Sequence, residues 1–185
     1  MSLPDIQLDN DVASSGRKET LAARIMAAAT TVCVLTLFAA AAPPAAAATL
    51  TRSVDVAGTP SAVWAKIGAF CAIKDWHPAI GSCAEDGKAP PTRTLVTKDG
   101  QATFVEMQTA RSDEKHLYSY NFLSSPLPVT NYEATIVVAP KGNGVSTITW
   151  TGVYTPAPGK EKAARDALAG IYEAGLESIK SRLAN

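Results

Sequence analysis

Strand-like segments follow one another at short intervals through the middle of this chain, and only near its end does it offer a helix long enough to cover them. Residues 92–97, 102–110, 116–123, 131–138 and 145–154 are rich in β-branched and aromatic residues and alternate apolar with polar side chains. Lys98-Asp99-Gly100 and Lys141-Gly142-Asn143-Gly144 separate two pairs of these segments with the glycines that hairpin turns require. Residues 50–56 alternate as an opening strand, and a weaker strand is expected near residues 82–85. After Pro156 and Pro158, one helix is expected over residues 160–183, with Leu168, Ile171, Tyr172, Gly175, Ile179 and Leu183 along one stripe. A sheet of seven strands must bury a face, and this helix alone has the length to cover it.

The opening strand stops at Gly58-Thr59-Pro60-Ser61, where Thr59 is a good helix cap and Pro60 suits the first turn. Val63, Trp64, Ile67 and Phe70 follow at helical spacing, and a second short helix or turn is expected over residues 73–80, broken by Pro78. The order is strand, two short helices, six antiparallel strands and a long helix, an α+β arrangement.

The first 48 residues read as an export signal with an N-terminal extension, not as fold. Arg17, Lys18 and Arg24 form a positive region, residues 25–42 carry no charge, and Ala46-Ala47-Ala48 offers small residues for cleavage before Thr49. An uncleaved inner-membrane anchor through residues 25–42 is the alternative, although its many alanines make it a weak one. The acidic first sixteen residues are an unusual preface for a signal, so a later translation start is also open. Thr30-Thr31-Val32 lacks the pattern that would make Cys33 a lipid-attachment site. The expected product is a periplasmic or secreted domain spanning residues 49–185.

Charge restricts the partners. The whole chain balances 17 basic against 17 acidic residues. Losing Arg17, Lys18 and Arg24 with Asp5, Asp9, Asp11 and Glu19 leaves 14 basic and 13 acidic. Such a balance argues against nucleic-acid binding and against a polybasic hold on anionic membranes. Cys71 and Cys83 are the cysteines of the processed part, and in an oxidising compartment a disulfide is the simplest expectation. A metal site built on this pair with His77 lacks ligands, and the spacing is far from that of a reactive Cys-x-x-Cys pair.

The stretch from Phe70-Cys71-Ala72-Ile73-Lys74-Asp75-Trp76-His77-Pro78 to Ala79-Ile80-Gly81-Ser82-Cys83 resembles the helix-to-strand corner of bacterial polyketide cyclase/dehydrase-like proteins. Pro126-Leu127-Pro128-Val129-Thr130-Asn131-Tyr132 resembles their loop into the next strand, and residues 150–158 resemble their last strand and its exit. The chain is thus identified as similar to the START-like, or SRPBCC, superfamily over essentially all of residues 49–185. That resemblance implies the helix-grip fold, a curved seven-stranded antiparallel sheet wrapped around a long C-terminal helix. The layout is also similar to abscisic-acid receptors. Here, however, Gly81 stands where their ligand-pairing lysine is expected, and the gate shrinks to residues 97–101. Hormone recognition of that kind is not expected.

Tyr118, Tyr120 and Phe122 share one face of their strand. The superfamily pattern turns this face inward, and with it Phe104, Glu106 and Gln108, then Tyr132 and Ala134, then Ile148, Trp150 and Gly152. Gly175 on the long helix would leave room opposite. Two outcomes are open: these aromatics pack a solid core, or they wall a cavity. The resemblance and the need of buried tyrosines for partners favour the cavity. Trp76, His77, Leu127 and Ile171 complete the expected ligand contacts, with Leu127 as the apolar tip of a lid over residues 124–129.

Catalysis has little support in the residues. No nucleophile motif, phosphate loop or metal-ligand cluster is present, and no cofactor is implied. His116 reads as exposed at a turn, while His77 and Glu106 are the weak acid–base candidates. The leading expectation is an exported carrier or sensor of a small hydrophobic or aromatic molecule, lipid or polyketide-like. The alternatives are a cyclase, aromatase or dehydratase, and an accessory protein of a periplasmic redox enzyme, since similar exported proteins are linked to methanol oxidation.

Overall fold

A computed structural model describes residues 46–184. The export signal, its cleavable stretch and the alternative anchor over residues 25–42 fall almost wholly outside the described residues. Seven strands form one antiparallel sheet in the order β1-β7-β6-β5-β4-β3-β2. They are β1 (Ala48–Ala57), β2 (Ile80–Glu85), β3 (Thr92–Thr97), β4 (Thr103–Ser112), β5 (Leu117–Ser124), β6 (Val129–Gly142) and β7 (Val145–Pro156). Only β1 and β7 break chain order, because the chain must return to its first strand to complete the sheet.

Between β1 and β2 lie α1 (Pro60–Ile67), a 3-10 turn (Phe70–Ala72) and α2 (Ile73–Trp76). Thr59 caps α1, its hydroxyl accepting from the Ala62 amide at 3.4 Å, and Pro60 occupies the first turn. The expected helix does not run through to Phe70. It ends at Ile67, and Phe70 sits in the separate 3-10 turn. The second helix is a single turn, shorter than the sequence suggested, because His77 before Pro78 takes an extended backbone.

The hairpin glycines behave as their positions require: Gly100 and Gly144 both take positive φ, at 71° and 73°. Register shifts at Ile80/Ser82, Val105/Glu106, Gln108/Ala110, Thr130/Glu133 and Pro140/Gly142 bend the strands. The inward phase expected for β4 to β7 is the one observed. Phe104, Glu106, Gln108, Tyr118, Tyr120, Tyr132, Ala134, Ile148 and Trp150 are all buried.

The long helix α3 (Glu161–Leu183) lies against β1, β7 and α2. It buries Leu168, Tyr172, Gly175 and Ile179 as its stripe predicts, and adds Ala164 and Leu176. Ile171 and Leu183 are only partly buried. Arg52 on β1 donates to Glu173 at 2.6 Å on the outer side of this contact. Among the described residues no helix is long and apolar enough to cross a membrane.

Gly152 fixes how closely the helix approaches the sheet. A Cβ there would stand 2.2 Å from the Tyr172 hydroxyl. Tyr172 stacks on Trp150 at 4.3 Å with the planes 9° apart, so the ring cannot swing aside freely. Gly152→Ala is expected to destabilise the protein by about 1–3 kcal/mol through overpacking. The penalty should shrink when Tyr172→Phe removes the hydroxyl, which denaturant unfolding of the two single variants and the double variant would reveal.

Candidate functional site

A partly open cavity of about 190 Å³ lies between the inner face of the sheet, the α2 corner and α3. Of the residues proposed from sequence, His77, Phe104, Glu106, Tyr120, Phe122, Tyr132, Trp150 and Ile171 line it. Ile73, Ala79, Ile80, Leu95, Thr97 and Leu168 line it as well and were not anticipated. Most of these are apolar residues whose only signal was their place on an inward face.

The remaining sequence candidates have other duties. Trp76 packs edge-on to Trp150 at 5.8 Å, behind the wall. Tyr118 is fully buried between Trp64 and Phe70 and does not line the cavity. Gly175 does not leave open room: a Cβ there would meet His77 at 2.9 Å, Trp76 at 3.0 Å and Trp150 at 3.2 Å. Its bareness lets the corner press against α3. Leu127 is not a free lid tip but packs against the core, while Leu123 is the exposed apolar residue nearby, at 55%. His116 is half-buried, with its Nε2 at 3.2 Å from the Ser61 hydroxyl and its ring against Trp64.

The polar groups of the wall largely satisfy one another. Trp150 Nε1 donates to the Tyr120 hydroxyl at 3.1 Å, Tyr120 meets Tyr132 at 3.3 Å, and Tyr132 meets Tyr172 at 2.6 Å. Burial raises all three tyrosines, so they stay neutral and act as a hydrogen-bonded chain. Thr97 spends its hydroxyl on Asp99 at 2.6 Å.

His77 is tied at both ring nitrogens. Nε2 donates to the Ile171 carbonyl at 3.0 Å, and Nδ1 accepts from the Ala79 amide at 3.2 Å. These partners select the neutral Nε2–H tautomer. Burial lowers its pKa, the Ile171 carbonyl opposes that, and Lys98 adds to the lowering. A histidine held in this way has no nitrogen left to take a proton from a ligand.

Glu106 points inward as its strand phase predicted, but its partner is not a tyrosine. Arg93, directly opposite it on β3 and fully buried, donates from Nε at 2.6 Å and brings Nη2 to 2.6 Å, both on Oε2. Arg93 Nη1 also donates to the Phe70 carbonyl. The guanidinium lies over the Phe70 ring at 4.0 Å and near Tyr120 at 5.2 Å. Burial works against the Arg93 charge, but Glu106 and the neighbouring tyrosines carry its pKa upward. Burial raises the Glu106 carboxyl, with Arg93 opposing. Arg93 is the partner of Glu106 that sequence reasoning missed.

The sulfurs of Cys71 and Cys83 stand at bonding distance, with Cα atoms 5.5 Å apart. They join the 3-10 turn to β2, the edge strand. Among the described residues no group of three or more His, Cys, Asp or Glu is placed to hold a metal ion.

The sequence profile described as polyketide cyclase/dehydrase and lipid transport matches residues 47–184. Among curated proteins, none matches. Solved structures do. The protein XoxI from Bacillus cereus is 32% identical, with a TM-score of 0.70 over 75% of this chain and 96% of that one. An uncharacterised protein from Bacillus thuringiensis is 31% identical, with a TM-score of 0.70 over 75% of this chain and 100% of its own. The Zhui aromatase/cyclase from a Streptomyces species shares the fold at 15% identity, with a TM-score of 0.61 over 75% and 94%.

Arg93→Met leaves the Glu106 carboxylate without its cation and should cost about 3–5 kcal/mol, whereas Arg93→Met with Glu106→Met should recover most of that loss. Equal destabilisation of single and double variants in denaturant melts would show the pairing to be unimportant. For His77, burial keeps the folded pKa below its ordinary 6.5, so the unfolded chain takes up this proton first as pH falls. Its contribution to stability is therefore full above 6.5 and declines as pH drops below that value. Glu106, raised above its ordinary 4.5, gives the opposite slope above that value, so the comparison must be with a His77→Gln variant. The unmodified protein should lose more stability than the variant between about pH 7.5 and about pH 5.5.

Proposed function

Because the chain belongs to the polyketide cyclase/dehydrase and lipid transport family, we propose that it is an exported binding protein that holds a small hydrophobic or aromatic molecule inside its sheet. The observation that carries this reading is the partly open apolar cavity, walled by Phe104, Phe122, Leu168 and Ile171, whose tyrosine and histidine polar atoms are already paired within the protein. Such a wall favours apolar contact, and an apolar cavity of this kind takes up an apolar guest in place of water.

Carriage is favoured over chemistry. Both nitrogens of His77 are occupied, which leaves Glu106 as the one acid–base candidate for a cyclase-like reaction. Export is supported by the positive and uncharged stretches before Ala48 and by the Cys71–Cys83 geometry, which an oxidising compartment would make permanent. A cut after Ala48 would leave nearly all of β1 in place, since Ala48 is its first residue. A loop this short, once closed by a disulfide, stabilises the fold by about 3 kcal/mol on the chain-entropy reckoning.

Native mass spectrometry of protein exported to the periplasm should find a chain beginning at Thr49, no free thiol, and a fraction carrying a small co-purified molecule. Ile171→Trp, which fills the cavity from α3, should reduce that fraction severalfold while the circular dichroism spectrum is kept. Equal occupancy in both proteins would place the guest elsewhere and end the cavity reading.

A further inference from the structure

The ion pair at the cavity is lopsided. Arg93 addresses Glu106 through Nε and Nη2, and both contacts fall on Oε2. A guanidinium and a carboxylate usually pair fork to fork, one nitrogen per oxygen. Here Oε1 takes no hydrogen bond from any described residue, although Glu106 is 4% exposed and lines the cavity. The other polar side chains of the wall are spent. His77 uses both nitrogens, Thr97 bonds Asp99, and Trp150, Tyr120 and Tyr132 bond one another or Tyr172. Oε1 is thus the acceptor of the wall that no protein donor meets, and it stands accessible to a donor on a guest.

Arg93 does not line the cavity and is 0% exposed, so no guanidinium is offered to a guest. An anionic guest would meet Oε1 and no cation. Size restricts the guest further: a cavity of about 190 Å³ is close to the roughly 150 Å³ that accommodates one benzene ring. The rings of Phe122, Tyr132 and Trp150 in the wall offer faces and edges that suit an aromatic guest.

Building on the cavity reading above, we infer that the preferred guest is a compact aromatic molecule carrying an uncharged O–H or N–H donor, held by a hydrogen bond to Glu106 Oε1, and that aromatic carboxylates are rejected. A phenol or an aryl alcohol fits, whereas a plain hydrocarbon leaves Oε1 unsatisfied.

Three probes of one shape, toluene, p-cresol and p-toluate, decide the matter by calorimetric titration of the full domain near neutral pH. A hydrogen bond to a charged acceptor should make p-cresol at least about tenfold tighter than toluene, with p-toluate weakest. Arg93→Met with Glu106→Met should keep toluene binding within about threefold and erase the preference for p-cresol. Equal affinity of toluene and p-cresol overturns the donor inference while leaving the cavity reading intact, as does p-toluate binding tightest. Binding of none of the three overturns the cavity reading and the inference with it. The wild-type series is sufficient by itself, whatever the stability of the double variant.

Discussion

The buried contact between Arg93 and Glu106 is the constraint around which the rest of the molecule is arranged. It pairs β3 with β4 across the register position where the two residues face each other. Through Nη1 the same guanidinium holds the Phe70 carbonyl, and so brings the 3-10 turn down on the sheet. Removing two charges from water costs several kcal/mol per ion before attraction repays it. The protein recovers part of that cost with the faces of Phe70, Tyr118 and Tyr120 around the guanidinium, at 4.0, 5.8 and 5.2 Å. Specificity of placement is the return: no shift of β3 by one residue keeps Arg93 inside.

Close packing and an internal cavity coexist because they are assigned to different places. Around Gly152 and Gly175 the helix, the sheet and the corner touch so tightly that a methyl group has no space. Beside that contact the tyrosine chain, anchored by Trp150 Nε1, spaces the inner rings by hydrogen bonds, whose lengths are fixed. The rings are held apart by polar contacts as much as pressed together by apolar ones. A wall of leucines in the same positions could collapse inward; a wall of mutually bonded tyrosines resists it.

Much of this was legible in the residues. The strand count, the Thr59-Pro60 helix start, the two glycine turns and the inward phase of β4 to β7 follow from period-two alternation and local turn chemistry. Those signals are local, and tertiary contacts did not override them. Arg93 was missed because arginine in a strand ordinarily reads as solvent-facing. The sign was nonetheless available: it shares a face with Leu95, and the turn at Asp99-Gly100 sets it across from Glu106. Gly175 was misjudged for a different reason. A helical glycine opposite aromatics permits either a void or a close approach, and sequence does not say which neighbour arrives. In the sequence Leu127 reads as a free lid tip because a loop between two prolines has no periodicity from which burial can be read.

The cavity's two sides are held by different kinds of bond. Phe104, Tyr120, Tyr132 and Trp150 stand on interior strands of the sheet, and Tyr120 and Trp150 have a register partner on each side, so moving either would break several backbone hydrogen bonds at once. Ile73, His77 and Ala79 stand on the corner, which reaches the rest of the protein by discrete ties, and Ile80 opens the edge strand beside it. These are the His77 bond to Ile171, the Lys98 amide to the Ala79 carbonyl at 2.9 Å, the Arg93 bond to Phe70, and the Cys71–Cys83 sulfurs. Each tie is single, and together they enclose the segment at both ends. A guest entering from the corner side has to loosen the fewest bonds, whereas entry through the sheet would unzip strands. Cys71 stands on that weaker side and Cys83 on β2 opposite Leu95, so a covalent link between them would tie the corner to a strand that the ladder already holds.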